Sequence, residues 1–182
     1  LKTLQKSDAS VYYFASSEKE RVRKSIDKEE ICAIGNHTIV TREQVQMYTK
    51  FYEITYDKTL SEKKAIAYAK ERNALYVAAM QNGYQVTDEQ VKAYVEELKQ
   101  NLDGIWTKEQ KEKLLSGFAS EDDYWAFEQK VYRIDLPIQN YVTDKENEFN
   151  RKNASGQTWD EAFKTLKQNL VDEQQYKDSS SY

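Results

Sequence analysis

The chain has 182 residues with a formal net charge of −4, and 32% of its residues are charged. A length of this order suits one domain, or one domain with an appendage, and the acidic balance gives no electrostatic footprint for nucleic-acid binding. Because only five glycines and one proline interrupt the sequence, long helices are favoured over a sandwich or a barrel.

Residues 1–30 form a polar and highly charged lead-in with a few scattered aromatic residues. Val22 and Ile26, four residues apart, give its second half a thin apolar stripe, which predicts a helix that lies on the surface. We therefore expect residues 1–30 to form a lead-in segment and a surface helix outside the main core.

A β-hairpin is expected over residues 31–40. The run Ile-Cys-Ala-Ile ends at Gly35-Asn36, a turn signal, and β-branched residues follow. Cys32, the only cysteine, is expected to be a buried structural thiol rather than a reactive one. His37, the only histidine, has no second ligand at metal-binding spacing, so we interpret it as a turn residue.

Capping signals then mark a series of helices. Thr41 and Gln44 form a Thr-x-x-Gln pattern, which predicts a capping box at the start of a helix that ends near Tyr56. The fifth of these helices is expected to continue through Pro137 with a kink near residues 133–136, because its apolar stripe keeps its phase across the proline. The later helices are predicted at about 61–82, 87–102, 107–115, 120–149 and 158–175.

The last predicted helix carries an apolar stripe that needs a partner within the chain. Burying four such side chains contributes about 6–10 kcal/mol before conformational entropy is counted. A loop at 150–157 is long enough to reverse the chain, so we expect this helix to fold back onto the earlier ones, followed by a tail at 178–182. The stripe consists of Trp159, Phe163, Leu166 and Leu170.

Three segments carry a resemblance to a known family. They are AIGNHTIVTRE at 33–43, GYQVTDEQV at 83–91 and SEDDYW at 120–125. Their order and spacing resemble the N-terminal chaperone domain of the SurA/PrsA family of extracytoplasmic foldases, whose fold is related to the chaperone part of trigger factor. The resemblance covers roughly residues 31–142.

The resemblance implies a mainly α-helical, SurA N-terminal-like fold with a small β-hairpin and a returning C-terminal helix. In this interpretation residues 31–149 form the chaperone domain, and residues 158–176 form a helix that packs back on it. Family members commonly place parvulin isomerase domains, each on the order of a hundred residues, before the returning helix. In this chain only the loop 150–157 occupies that position. We therefore expect no parvulin domain and no prolyl isomerase activity, and we do not expect the chain to be an enzyme.

The function implied by the resemblance is that of an ATP-independent extracytoplasmic chaperone or foldase module. It would bind unfolded or partly folded exported polypeptides through an aromatic-rich groove. Such a bacterial protein is expected in the cell envelope, lipid-anchored or secreted, with a membrane anchor or signal upstream of Leu1. No cofactor, metal or nucleic acid is expected, and the oligomeric state is left open. Two alternatives stay open: a secreted interaction or scaffolding module for one specific folded partner, and the non-catalytic part of a larger peptidyl-prolyl isomerase.

Aromatic residues supply the candidate binding surface. The chain has 14 tyrosines, six phenylalanines and three tryptophans, and tyrosine and tryptophan are enriched at binding interfaces. Most of these rings fall on the apolar stripes and are expected in the core. No catalytic residue is assigned, since the acidic run at 121–123 suits the start of a helix. The candidates for peptide contact lie off the stripes: Phe51, Tyr68, Trp106, Trp125 and Tyr132.

Overall fold

The computed structural model describes residues 11–56, 58–152 and 156–179. Seven α-helices and one small antiparallel sheet occur in these residues, so the mainly α-helical fold predicted from the sequence is confirmed. The helices are α1 (Lys19–Lys24), α2 (Arg42–Tyr56), α3 (Glu62–Gln81), α4 (Asp88–Asp103), α5 (Lys108–Leu115), α6 (Glu121–Lys152) and α7 (Trp159–Gln174). The strands are β1 (Ile31–Ile34), β2 (Ile39–Thr41) and β3 (Lys177–Asp178).

Helix α3 is the centre of the fold. It packs against α2, α6 and α7, and also against strands β1 and β2. Small side chains let these neighbours approach closely on several sides of the helix. The first half of α3 contributes to a core cluster with β1, β2 and α2, and its second half contributes to a cluster with α6 and α7. The buried small residues are Ala65, Ala69, Ala74, Ala78 and Ala79.

The predicted hairpin over residues 31–40 is confirmed. Strands β1 and β2 pair antiparallel, with Ile34 opposite Ile39. A 2.8 Å hydrogen bond from the Gly35 amide to the Thr38 carbonyl closes the turn. All four side chains of β1 are buried, because one face of the hairpin packs on the helices and the lead-in covers the other.

The lead-in lies closer to the core than predicted. Instead of one surface helix, residues 16–30 form the short helix α1 with a 3-10 turn on each side. Phe14 is buried against the hairpin, with Val22 and Ile26 packed around it. A short isolated helix is marginal in water, so contacts with the hairpin decide the conformation of this segment. Residues 1–10 of the predicted lead-in lie outside the described residues.

A third strand was not predicted. Lys177–Asp178 form β3, which pairs antiparallel with β1 and gives the strand order β2-β1-β3. From the sequence, Asp178 was predicted to belong to a C-terminal tail. A two-residue strand shows no alternation that a pattern could detect, and only its pairing with β1 defines it. Residues 180–182 of the predicted tail lie outside the described residues.

The hairpin turn holds the C-terminal end of α7. The Asn36 amide donates to the Gln174 carbonyl at 2.8 Å, and the Asn36 side chain donates to the Glu173 carbonyl at 3.0 Å. The last carbonyls of a helix lack partners within the helix, so these bonds satisfy them. The approach is so close that a Cβ on Gly35 would lie 3.0 Å from the Tyr176 ring. The turn therefore links the sheet to the last helix.

Helix α6 runs through Pro137 as one helix, as predicted, and ends at Lys152 rather than at 149. Its last turn is stabilised by an ion pair between Lys152 and Glu148, four residues apart. Basic residues at the end of a helix also interact favourably with its dipole. Residues 150–152 of the predicted loop therefore belong to α6, and residues 153–155 lie outside the described residues.

Helix α7 returns onto α3 and α6, which confirms the predicted returning helix. Leu170 is 9% exposed and belongs to a cluster with Ala74 of α3 and Ile134 of α6. Lys167 forms a 3.0 Å ion pair with Glu71 of α3. The stripe that the sequence showed thus finds its partner in the centre of the fold.

We expect Leu170→Ala to lower the free energy of unfolding by about 2–4 kcal/mol, because it opens a cavity between α7, α3 and α6. Asn169→Ala is the matched control: Asn169 lies next to Leu170 but is exposed, so its loss should change stability by less than about 0.5 kcal/mol. Urea denaturation followed by circular dichroism measures both. An effect of Leu170→Ala as small as that of the control would show that α7 does not share the core.

Candidate functional site

A groove opens between helices α2, α3 and α6. Its volume is about 330 Å³, near the lower end of the range for ligand pockets. Two charged side chains, Arg72 and Asp135, contribute to its lining. We call it the aromatic groove, because the rest of its lining is aromatic or aliphatic: Met47, Tyr48, Phe51, Tyr52, Tyr56, Leu60, Tyr68, Phe127 and Val131.

Tyrosines line the aromatic groove from its floor, at Tyr48, to its rim, which is formed by Tyr52, Tyr56 and Tyr68. Tyr48, Tyr52 and Tyr56 recur every four residues along α2 and therefore share one face of the helix. The ring centroids of Tyr52 and Tyr56 are 4.8 Å apart, and Tyr68 of α3 meets Tyr48 edge to face at 5.0 Å. Tyr56 is 60% exposed and Tyr68 is 52% exposed. The rim thus presents aromatic surface to solvent.

A buried arginine forms the floor of the groove. Nε of Arg72 donates to Oδ1 of Asp135 at 2.9 Å, and Nη2 of Arg72 lies 2.6 Å from the same oxygen in an ion pair. Its Nη1 donates to the Tyr48 hydroxyl at 2.6 Å. Burial by itself lowers the pKa of Arg72, but Tyr48 and Asp135 outweigh this effect and the net shift of the pKa is upward. The guanidinium therefore stays charged and joins α2, α3 and α6 from inside.

Amide side chains continue this network to the sheet. Gln44 donates to the Tyr48 hydroxyl at 2.9 Å and to Oδ1 of Asn73 at 2.7 Å. Asn73 donates back to Gln44 at 3.3 Å and to the Ile39 carbonyl at 3.2 Å. These buried polar groups satisfy one another, and they connect strand β2 to the floor of the groove.

Gln44 has a different role from the predicted one. Thr41 does cap α2, since its hydroxyl accepts a 3.2 Å hydrogen bond from the Gln44 amide. The Gln44 side chain is 2% exposed and joins the buried network instead of completing a capping box. In the boxes that begin at Thr87, Thr107 and Thr158, the side chain three residues on does return to the cap. All four helices begin with the same kind of capping sequence. The side chain of Gln44 behaves differently because it is buried.

The carboxylate of Asp135 faces the groove with one oxygen open. Its side chain is 32% exposed, compared with 7% for that of Arg72. Both contacts from Arg72 use Oδ1. In the part of the chain that the structure describes, no donor forms a hydrogen bond with Oδ2. The groove therefore contains an acceptor that the fold itself leaves unused.

A second acid, Glu128, lies two helical turns before Asp135 on α6, which places both on the same side of the helix. Glu128 is 7% exposed. Its pKa is raised to about 7, chiefly by burial; a hydrogen bond with the Tyr124 hydroxyl opposes this shift, and the charge of Asp135 adds to it. This carboxyl therefore titrates close to neutral pH in the folded protein.

The structure brings together two of the five residues predicted for peptide contact. Phe51 and Tyr68 both line the aromatic groove. Phe51 packs against Phe127 of α6, with ring centroids 6.5 Å apart. These two rings come from α2 and α3, so the groove depends on the packing of these helices.

The other three predicted residues belong to a second aromatic cluster, between α4, α5 and the first half of α6. The rings of Trp106 and Trp125 stack at 6.1 Å, and Tyr132 packs on Tyr94 of α4 at 4.9 Å. Trp125 is only 5% exposed. In this arrangement the three rings pack α4 and α5 onto α6.

Sequence reasoning did not single out the tyrosines of α2 or the charged floor as site residues. The four-residue spacing of Tyr48, Tyr52 and Tyr56 was a signal that could have found the rim. Arg72 and Asp135 have no such signal, because they are 63 residues apart and each looks like an ordinary charge on a helix. Only the packing of α3 against α6 brings them together.

Metal binding finds no support in the part of the chain that the structure describes, where no three His, Cys, Asp or Glu side chains are arranged to hold an ion. Cys32 is buried, and burial raises the pKa of its thiol. His37 lies in the hairpin turn, with Nδ1 3.1 Å from the Phe14 carbonyl. None of the described helices combines the length and apolar character needed to cross a bilayer.

Comparison with known proteins gives no match: no protein-family model, no curated protein and no solved structure matches this chain. The resemblance to the SurA/PrsA chaperone domain therefore rests on the sequence pattern alone. The aromatic groove is the structural feature that bears on the function.

We expect Arg72→Lys to lower the free energy of unfolding by about 1–3 kcal/mol. Lysine keeps the charge, but a single ammonium cannot reproduce the forked contacts to Asp135 and Tyr48. Arg133→Lys is the matched control, because Arg133 forms an exposed 3.1 Å ion pair with Asp88, and it should cost less than about 0.5 kcal/mol. Denaturant titration compares the two variants. Equal effects would contradict the role of Arg72 at the floor.

The contribution of Glu128 to the stability of the protein should fall as the pH rises from 4.5 to about 7. The folded protein holds a proton on this carboxyl up to about pH 7, whereas the unfolded chain releases it near pH 4.5. The folded state therefore binds more protons in this window, and the resulting stabilisation, complete below pH 4.5, is lost as the pH passes 7.

Glu128→Gln should remove this part of the pH dependence. Relative to the unaltered protein, its free energy of unfolding should rise by about 2–3 kcal/mol between pH 4.5 and pH 8. Glu97→Gln, at an exposed position of α4, is the control and should leave the dependence unchanged. Urea denaturation across the pH range measures all three proteins, and an unaltered slope in Glu128→Gln would rule out the raised pKa.

Proposed function

We propose that this chain binds apolar, aromatic-rich segments of unfolded or partly folded polypeptides in the aromatic groove, without ATP and without covalent chemistry. The observation that carries the proposal is the tyrosine rim over an apolar interior, with Tyr56 and Tyr68 more than half exposed. Tyrosine offers a large, rigid contact area at a low cost in conformational entropy. Exposed apolar patches rimmed by polar groups are typical of interaction sites.

A holding chaperone is the activity that fits such a groove best. Apolar contact is not directional, so the groove can accept different sequences. Its small volume limits the contact that any one segment makes, which keeps binding weak and reversible. The net charge of −4 helps to keep complexes in solution. The resemblance of residues 31–142 to the SurA/PrsA domain supports a proposed location outside the cytoplasm, in the cell envelope or secreted.

A scaffolding module for one specific folded partner is the second candidate. It is favoured by the fixed polar floor formed by Arg72, Asp135 and Tyr48, because precisely placed polar groups confer specificity on a pocket. Light-scattering assays with several unrelated unfolded proteins separate the two functions. A chaperone should suppress the aggregation of most of them, and a scaffold should leave most of them unaffected.

Tyr68→Ala should weaken the binding of a fluorescent, aromatic-rich peptide by about five- to thirtyfold, the effect expected from losing an aromatic contact worth about 1–2 kcal/mol. Because Tyr68 is 52% exposed, the fold should survive. Tyr13→Ala is the matched control, since it removes a 44% exposed ring that does not line the groove. Fluorescence anisotropy measures both variants. Equal losses in the two, or no loss in Tyr68→Ala, would refute binding in the groove.

A further inference from the structure

The aromatic groove contains a pair of charged side chains, which the binding of a purely apolar segment would not require. Among the described residues, Arg72 and Asp135 are the charged side chains of its lining. The arginine is the deeper of the two, because its side chain is 7% exposed while that of Asp135 is 32% exposed. The ion pair therefore turns its negative end toward the opening of the groove.

Asp135 also retains unused hydrogen-bonding capacity. The two oxygens of a carboxylate together offer about four acceptor sites. Both contacts from Arg72, the Nε hydrogen bond and the Nη2 ion pair, are to Oδ1, while Oδ2 accepts no hydrogen bond from the described part of the chain. The nearby Tyr48 hydroxyl is already engaged by Arg72 and Gln44. A donor brought by a ligand can therefore bind Oδ2 without breaking any bond of the floor.

The surroundings of this oxygen favour a donor that carries positive charge. The faces of the rim tyrosines, Tyr56 and Tyr68, attract cations through their ring quadrupoles. The charge of Arg72, the one cation of the lining in the described residues, is balanced by Asp135. An ammonium or guanidinium group that enters the groove thus meets an acceptor and aromatic faces.

We propose that the aromatic groove selects polypeptide segments in which a lysine or arginine stands beside an aromatic or aliphatic side chain. The apolar side chain fills the interior, and the cationic group donates a hydrogen bond to Oδ2 of Asp135. A volume of about 330 Å³ suits a short motif rather than a long segment. This inference rests on the proposed function, because it names the segments that the same groove takes.

Three capped peptides of equal length test the inference on the unaltered protein. Each carries the same central Phe-Leu pair, flanked by lysine in the first peptide, by glutamine in the second and by glutamate in the third. Fluorescence anisotropy should show the lysine peptide binding about three- to tenfold more tightly than the glutamine peptide. The glutamate peptide should bind more weakly than both. The preference for lysine should shrink when NaCl is raised from about 0.05 M to about 0.5 M.

Two variants with the same change of charge locate the preference. Asp135→Asn should abolish it, so that the lysine and glutamine peptides bind this variant with equal affinity. Asp144→Asn is the matched control and should retain it, because Asp144 also lies on α6 but accepts a 2.8 Å hydrogen bond from the Tyr84 hydroxyl outside the groove. Circular dichroism checks that both variants fold. If Asp135→Asn does not fold, the peptide series on the unaltered protein decides.

The possible outcomes distinguish a failure of this inference from a failure of the proposed function. Equal affinities for the lysine and glutamine peptides overturn the inference and leave peptide binding in place. Loss of the preference in Asp144→Asn as well as in Asp135→Asn assigns it to the overall acidic charge and also overturns the inference. Failure of all three peptides to bind overturns the proposed function, and the inference falls with it.

Discussion

The ion pair between Arg72 and Asp135 is the interaction on which the groove depends. Arg72 stands on α3 and binds Asp135 of α6 and Tyr48 of α2, so one side chain sets the spacing of three helices. A buried guanidinium costs several kcal/mol unless its donors are paired. A shift of α6 would separate that charge from its carboxylate, and a shift of α2 would leave Nη1 without its hydrogen bond to Tyr48. The bonds that hold the helices together therefore also fix the shape of the groove.

The same network extends to the hairpin and, through the hairpin turn, to α7. Gln44 and Asn73 extend the network from Tyr48 to strand β2. The hairpin turn that leads into β2 binds the C-terminal end of α7 through Asn36. Segments that are distant in sequence thus share one buried framework. A groove built on such a framework is preorganised, which lowers the entropic cost of binding a flexible peptide.

The aromatic excess divides between two structural roles. In the second aromatic cluster, α4 and α5 cover rings such as Trp125, and these rings stabilise the packing of helices. At the groove, Tyr56 and Tyr68 each contact one neighbouring tyrosine, and more than half of each residue stays in contact with solvent. The proposed function depends on this second group, and the first gives it a rigid support.

The sequence by itself determined the local elements. Helix caps such as the one at Thr158 and the turn signal at Gly35 act within a few residues, so neighbours in the chain specify them. The sequence also determined that α7 must pack against other helices of the chain, because its apolar stripe could not remain in water. Only the tertiary structure decided the inward role of Gln44, the existence of β3 and the groove itself. Arg72 and Asp135 meet across 63 residues, and their contact exists only when α3 and α6 pack together, which no short window of sequence contains.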